Sequence, residues 1–506
     1  MSKIIISTKN LQGNQSQISK HIYGHFTEHL GRCIYDGIWV GEDSKIPNTK
    51  GIRNDIVDVL IKINIPNIRW PGGCFADEYH WKDGIGSKNK RPMRIVANWG
   101  GVPENNHFGT HEFFDLCELL DCEPYICGNV GSGTVEEMSQ WIEYINNDSE
   151  TTLTNLRKKN GREKPWKIKY WGVGNENWGC GGYMTAEYYS DLFLRYSTYC
   201  KDISENKLYK VACGPPGEYP IEFVINWVET LMKKTAVSTF YYDALIHGIS
   251  LHYYTRMGSM PSVSVNEKKY SLAMKRALYI ETLITEICKI MDKYDRSKSI
   301  GLIIDEWGTW WGAEKDTDPN LYFQQNTITD ALVASLNFDI FNRHCERIHM
   351  ANIAQLVNVL QSLILTKGDK MILTPTYHVF DLYKVHHDST LLPMEITTEN
   401  FQKGRTILPK IHGSASKDIE EKIHISLSNI DPNSNVNIEL LFTDLNLEMK
   451  QLEAAILRSN KINDHNTFEN PEYIKPKKYE NSNFKIENNL IKFEIPSKSI
   501  MVIEIK

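Results

Sequence analysis

Two stretches of this chain put carboxylates where an apolar strand stops. In Lys169–Trp178 the run Tyr170, Trp171, Val173 breaks at Gly174 and delivers Asn175, Glu176, Asn177 and Trp178. In Ile300–Trp307 the run Leu302, Ile303, Ile304 ends at Asp305, Glu306 and Trp307. A plain turn accepts Asn and Gly, but it has no use for an acid set between amides and an indole. Two carboxyl groups that face one substrate are what glycosidic cleavage requires. One must be protonated to assist the leaving oxygen, and the other ionised to attack the anomeric carbon or to activate water. Mutual repulsion and a neighbouring apolar ring raise the pKa of the acid and so separate the roles. Either glutamate alone would also fit a rim salt bridge; the matched pair is what points to catalysis. Asp305 alternates away from Glu306 along its strand and reads as structural.

The two carboxylates can meet only if a scaffold gathers strand ends. From His21 a rhythm begins of short apolar strand, polar loop and amphipathic helix. Strands are expected at Ile22–Phe26, Asn67–Trp70, Pro124–Asn129, Ile168–Gly174, Tyr209–Gly214, Ile246–His252, Ile300–Glu306 and His349–Gln355. Apolar residues three and four apart predict helices over Asn54–Lys62, Thr110–Leu120, Thr134–Ile145, Thr185–Cys200, Ile221–Met232, Leu272–Tyr294 and Gln324–Phe341, with an eighth at Pro375–His387. Eight strand–helix repeats predict an α/β fold, a (β/α)8 TIM barrel, over residues 21–387. A doubly wound sheet would want a Gly-x-Gly-x-x-Gly turn after the first strand, and none is there. Beyond residue 388 the pattern alternates, at Ile423–Leu427, Val436–Leu441, Leu445–Met449, Phe484–Ile486 and Met501–Ile505. Asn, Asp, Pro and Ser turns separate these segments and predict an all-β sandwich over 388–506. The isoleucine strand within residues 1–20 has no neighbour in a barrel and is assigned to that sandwich.

Composition narrows the class without choosing the reaction. The 506 residues exceed one ordinary domain of about 100–200 residues and suit a barrel with an accessory module. A net charge of −6 gives no electrostatic case for nucleic acid or an anionic membrane as partner. The N-terminus lacks the apolar run of roughly 7–15 residues of a secretory signal, and nothing reaches the roughly 18 of a membrane span. The expected setting is cytoplasmic. Ten cysteines are scattered with no metal-ligand spacing, and they read as reduced core thiols. Neither a metal nor a cofactor is expected.

The other strand ends carry hydrogen-bonding groups and rings: Glu28 and His29, Arg69 to Cys74, Asn129, His252 to Tyr254, and Gln355. With the carboxylate stretches these form ordered motifs: YGHFTEHL (23–30), RWPGGCFADEYHW (69–81), GNENWGCGG (174–182), DEW (305–307) and AQLVNVLQ (354–361). In this order they resemble glycoside hydrolase family 51, chiefly α-L-arabinofuranosidases. The resemblance implies a retaining, exo-acting double displacement on terminal arabinofuranosyl residues of arabinan- or arabinoxylan-derived oligosaccharides. Glu176 would be the acid/base and Glu306 the nucleophile. Asn175 would bond the sugar 2-hydroxyl. Glu28, Arg69, Cys74 (through its backbone), Tyr254 and Gln355 would line the sugar pocket, with His252 supporting the nucleophile side. It also implies a homo-oligomer, often a hexamer.

Three further expectations follow. Phe75–His107 is a long insertion after the second strand, holding Tyr79, His80, Trp81 and Trp99, and should shape the site. Trp178, Trp307, Trp310 and Trp311 are placed either to stack on sugar or to pack. Cys74 and Cys180 fall in motif loops near the pocket, and a cytoplasmic setting argues against a disulfide between them. The barrel alone does not choose the sugar, so an endo-β-glucanase or β-xylanase of the same clan is the alternative enzyme. A non-catalytic carbohydrate-binding barrel would lack one carboxylate, and neither is missing.

Overall fold

The computed structural model describes residues 2–8, 16–238, 245–444 and 452–506. Eight parallel strands close into a barrel: Gly24–Phe26, Asn67–Trp70, Glu123–Gly128, Tyr170–Val173, Tyr209–Ala212, Gly248–Arg256, Gly301–Trp310 and Ile348–Ala354, called strands 1 to 8 below. Helices follow the strands as the apolar spacing predicts. Their starts are fixed locally: Thr134, Thr185 and Thr374 each accept a hydrogen bond from the backbone NH three residues on, satisfying a donor the helix cannot pair itself. Among the described residues no helix is long and apolar enough to cross a membrane.

Two departures from the sequence reading have physical causes. Helix Thr152–Lys159 was not expected, because it buries an arginine instead of an apolar stripe. The Arg157 guanidinium donates to the carbonyls of Tyr144 and Asn147 at 2.9 and 2.6 Å, so charge replaces hydrophobic period as the glue. Strands 6 and 7 run past their expected ends at His252 and Glu306, pairing as far as Arg256 and Trp310. The register slips between Ser250 and His252 and between Ile304 and Trp307, and such bulges re-aim side chains.

The C-terminal part is all-β, in two sheets. One orders Met394–Thr397, Ser2–Ile6, Val436–Phe442, Leu490–Ile495 and Lys485–Glu487. The other orders Thr390–Leu391, Ile411–Lys417, Ile423–Asn429, Ser499–Ile505, Leu452–Arg458 and Lys477–Lys478. Ser2–Ile6 is an interior strand, parallel to Val436–Phe442 and antiparallel to Met394–Thr397, and buries Ile4 and Ile6 in the sandwich core. The expected strand at Leu445–Met449 lies outside the described residues. Helix Ile328–Arg343 is buried from Ile328 to Asn342, between the barrel and the second sheet. Its Asp339, pushed up to about 7 by burial, accepts hydrogen bonds from Ser414 and Ser426 of that sheet at 2.9 and 2.7 Å.

Candidate active site

Glu176 owes its place to a distorted turn. Gly174 takes φ 87°, and a Cβ there would lie 2.1 Å from the Asn177 side-chain oxygen, so only glycine lets the strand stop this way. Glu176 itself sits at φ 41°, a left-handed backbone that costs a glutamate energy and that strained functional sites commonly hold. Asp77 clamps the turn. Its buried carboxylate accepts from the backbone NH of Asn175, Val130 and Gly131 and from Asn177 Nδ2 at 2.6 to 3.1 Å. The amide of Asn177 thus serves the turn and does not face a substrate.

Glu306 approaches from strand 7. One oxygen accepts from Arg69 Nη1 at 2.9 Å and the other from the Tyr254 hydroxyl at 2.9 Å. His252 stands between the two glutamates: Nδ1 is 2.9 Å from Glu176 Oε1 and 3.5 Å from Glu306 Oε2, while Nε2 is 3.2 Å from Asp305 Oδ1. Its nearer partner is therefore Glu176, not the Glu306 side expected from sequence. Asp305 corrects a second expectation. The bulge brings it onto the same network as Glu306, accepting from Tyr125 at 2.8 Å and pairing with Arg69 Nε at 3.3 Å.

Counting charges explains the protons. Two buried cations, Arg69 and His252, face two carboxylates, Asp305 and Glu306. Burial lowers the His252 pKa, but the Glu306 charge and the hydrogen bonds to Asp305 and Glu176 outweigh it and raise it to about 10. Asp305 is held below the usual carboxylate range because its burial is overcome by the Arg69 charge and His252. The surplus acids are Glu176 and Glu28. Burial, with the Glu306 charge adding, raises Glu176 against the pull of His252, and pushes Glu28 up to about 7.

Glu28 lies beside this network. Gly73 N, Phe75 N and Trp99 Nε1 donate to Oε1 at 2.9 to 3.1 Å, and Gln355 Nε2 to Oε2 at 2.9 Å. A Cβ on Gly73 would lie 2.7 Å from Glu306 Oε1 and 3.4 Å from Glu28 Oε1, so the bare glycine lets both carboxylates close in. Asn175 Oδ1 accepts from Arg69 Nη2 at 2.5 Å, while its buried Nδ2 has no partner among the described residues. Thus Glu176, Glu306, Asn175, Arg69, His252 and Tyr254 form one network, with Glu28 and Gln355 next to it.

Cys74 sits between the two backbone donors to Glu28, and its sulfur is bonded to Cys180, with Cα atoms 5.6 Å apart. This overturns the expectation of reduced thiols at these two positions. Two loops held by separate sheet and turn contacts bring them together, a proximity that scattered spacing does not reveal. Glu176, His252 and Glu306, and likewise Cys74, Glu176 and Cys180, gather ligand-type atoms within 4.8 Å. In the second set the two sulfurs are spent on each other.

Of the four rim tryptophans, Trp307 is buried between Phe338 and Phe341, and buried Trp311 donates to Asp330 at 2.7 Å. Both pack. Trp178 and Trp310 stay half-buried, and the Trp310 ring lies 5.0 Å from Tyr322, whose ring in turn lies 5.6 Å from Trp99. The insertion 75–107 does reach the site, through Trp99 Nε1 on Glu28, whereas sequence reasoning missed Asp77 and Tyr125 as partners of the site. Asp77 stands inside the motif 69–81 and was the most findable.

Comparison with known proteins follows the same division. Residues 59–269 match the α-L-arabinofuranosidase 1 domain and residues 305–499 the α-L-arabinofuranosidase C-terminal domain. An intracellular exo-α-L-arabinofuranosidase of Bacteroides ovatus is 48% identical over 495 residues, spanning 97% of this chain and 93% of its own. The crystal structure of a family 51 arabinofuranosidase from Xanthomonas axonopodis pv. citri superposes with a TM-score of 0.94 at 43% identity, covering 100% of this chain and 99% of that one. The Thermotoga maritima α-L-arabinofuranosidase in its arabinose complex gives 0.83 at 28% identity, with full coverage of both chains. With relatedness of this extent across barrel and sandwich alike, the chain belongs to glycoside hydrolase family 51, the α-L-arabinofuranosidases.

Proposed function

We propose that the protein is a retaining, exo-acting α-L-arabinofuranosidase that releases terminal non-reducing arabinofuranosyl residues from arabinan- or arabinoxylan-derived oligosaccharides. The observation that carries the mechanism is the close approach of the two glutamates, one carboxylate oxygen of each within 4.8 Å of the other. Retaining enzymes set their carboxyls about 5–5.5 Å apart, and inverting ones leave room for a water. Glu306, oriented by hydrogen bonds from Arg69 and Tyr254, attacks the anomeric carbon, and the glycosidic C–O bond breaks as Glu176 gives its proton to the leaving oxygen. Glu176 then takes a proton from water, whose oxygen displaces Glu306 and frees arabinose. His252 bridges the two acids and steadies both charges as the proton moves. Convergent buried groups on one side, Glu28, Gln355, Arg69 and Asn175, favour a closed pocket for one terminal sugar over the open groove an endo-β-glucanase or β-xylanase needs. The test is turnover of an aryl α-L-arabinofuranoside followed by NMR: first-formed α-arabinofuranose supports the reading, and β-product or no turnover defeats it.

Two consequences can be measured. Glu176 acts as an acid, so its protonated form is the active one, and burial extends that form upward in pH. The kcat/KM on an oligosaccharide is expected to fall as pH rises through this raised pKa. A falling limb that persists unaltered in Glu176→Gln would assign it to another group. Asn175 keeps a buried Nδ2 free, and a sugar hydroxyl is the natural acceptor. Asn175→Ala should lower kcat about 10²-fold, more than it raises KM. A 2-deoxy substrate should show a similar loss with wild type and little further loss with the variant; additive losses would deny the contact.

A further inference from the structure

A cavity of about 620 Å³ opens beside the acid/base, lined by Gly217, Glu218 and Tyr219 after strand 5, Tyr253, Tyr254 and Arg256 of strand 6, one face of helix Glu267–Tyr294, and Leu408. That size falls within the range of small-molecule sites, about 300–1,000 Å³. Its wall touches the catalytic network through Tyr254. Tyr254 lines it while its hydroxyl holds Glu306, and Glu218 accepts from Tyr254 N at 3.1 Å. Trp178, two residues past Glu176, packs at 5.6 Å on Tyr219 at the cavity wall. The cavity wall is thereby joined to the turn that carries Glu176.

The lining has two characters. Tyr219, Tyr253 and Tyr279 with Leu272, Leu278 and Leu408 form walls that suit the CH faces of sugar rings. Arg256, Lys275 and Arg276 supply three cations against the single carboxylate of Glu218, in a chain whose net charge is −6. Arg256 gives Glu218 only its Nε, at 3.2 Å, and lies 3.8 Å over the Trp310 ring, which packs edge-on against Tyr254. Lys275 is exposed and has no ion-pair partner among the described residues. Neutral sugars need no such excess of positive charge.

We propose that this cavity binds the aglycone and selects substrates whose backbone carries a uronic acid, the carboxylate meeting Arg256 and Lys275 while the rings lie on the tyrosines. The assignment to the aglycone rests on the arabinofuranosidase reading above. Calorimetric titration with a glucuronic-acid-bearing xylo-oligosaccharide that lacks arabinose reads the cavity without turnover, so failure here is distinct from failure of that reading. The acidic probe should bind about tenfold tighter than a neutral xylo-oligosaccharide of equal length, and the preference should weaken as salt rises. Lys275→Glu, an exposed change, should remove most of the preference, and Arg256→Ala with Lys275→Ala should remove it all. In turnover, the ratio of kcat/KM for arabinosylated acidic over neutral substrates should fall toward one in the same variants. Equal affinity for the two probes, no binding of either, or a preference that survives both variants overturns the proposal.

Discussion

Glu306→Ala is expected to abolish hydrolysis of every arabinofuranoside, lowering kcat by more than about 10⁴-fold, because no other group can take its place. Its carboxylate is fixed by Arg69 and Tyr254 at 2.9 Å each, with His252 at 3.5 Å. The neighbouring acid Glu28 is committed to four donors and pushed up to about 7, so it is a poor nucleophile at neutral pH. Arg69 keeps Asp305 as a counter-ion after the change, so the fold should survive and circular dichroism should match wild type. Azide, small enough for the vacated space, should restore part of the turnover on an aryl substrate and give an arabinosyl azide of inverted configuration. A rescued product of retained configuration would move the nucleophile's role elsewhere.

Glu176→Ala should separate substrates by leaving group. On oligosaccharides, whose departing oxygen needs a proton, kcat/KM should fall about 10²–10⁴-fold. On an aryl arabinofuranoside with an acidic phenol the first step proceeds without that proton, and the loss should be far smaller. Azide should again accelerate, but now by attack on the covalent intermediate, giving a product of retained configuration. Equal losses on both substrate types would remove Glu176 from proton transfer. Asp77→Ala offers a related reading: it frees the turn that carries Glu176 and should blunt the same discrimination.

Strand and helix periods made the barrel legible, since a parallel barrel buries short apolar strands and gives each crossover helix one apolar stripe. Asn67–Trp70 emerged with its expected ends, and Glu176 and Glu306 were visible because acids rarely cap apolar strands. What the sequence hid depends on departures from period. Asp305 was set aside by alternation, which fails at a bulge. His252 was placed toward Glu306, though one imidazole nitrogen faces Glu176 more closely, a choice made by ring orientation and not by strand position. Arg157 was invisible because its helix is held by backbone carbonyls. Cys74 and Cys180, separated by 106 positions, were read by compartment, and compartment says nothing about distance.

The interior position of Ser2–Ile6 has a consequence for assembly. These residues leave the ribosome well before their partners at 394–397 and 436–442, which follow about 390 residues or more behind. Contacts of such sequence separation form slowly, and an unpaired apolar strand is adhesive while it waits. Synthesis therefore completes the barrel before Ser2–Ile6 can dock in the sandwich, and a nascent chain stalled between residues 388 and 436 should be the species most in need of a chaperone.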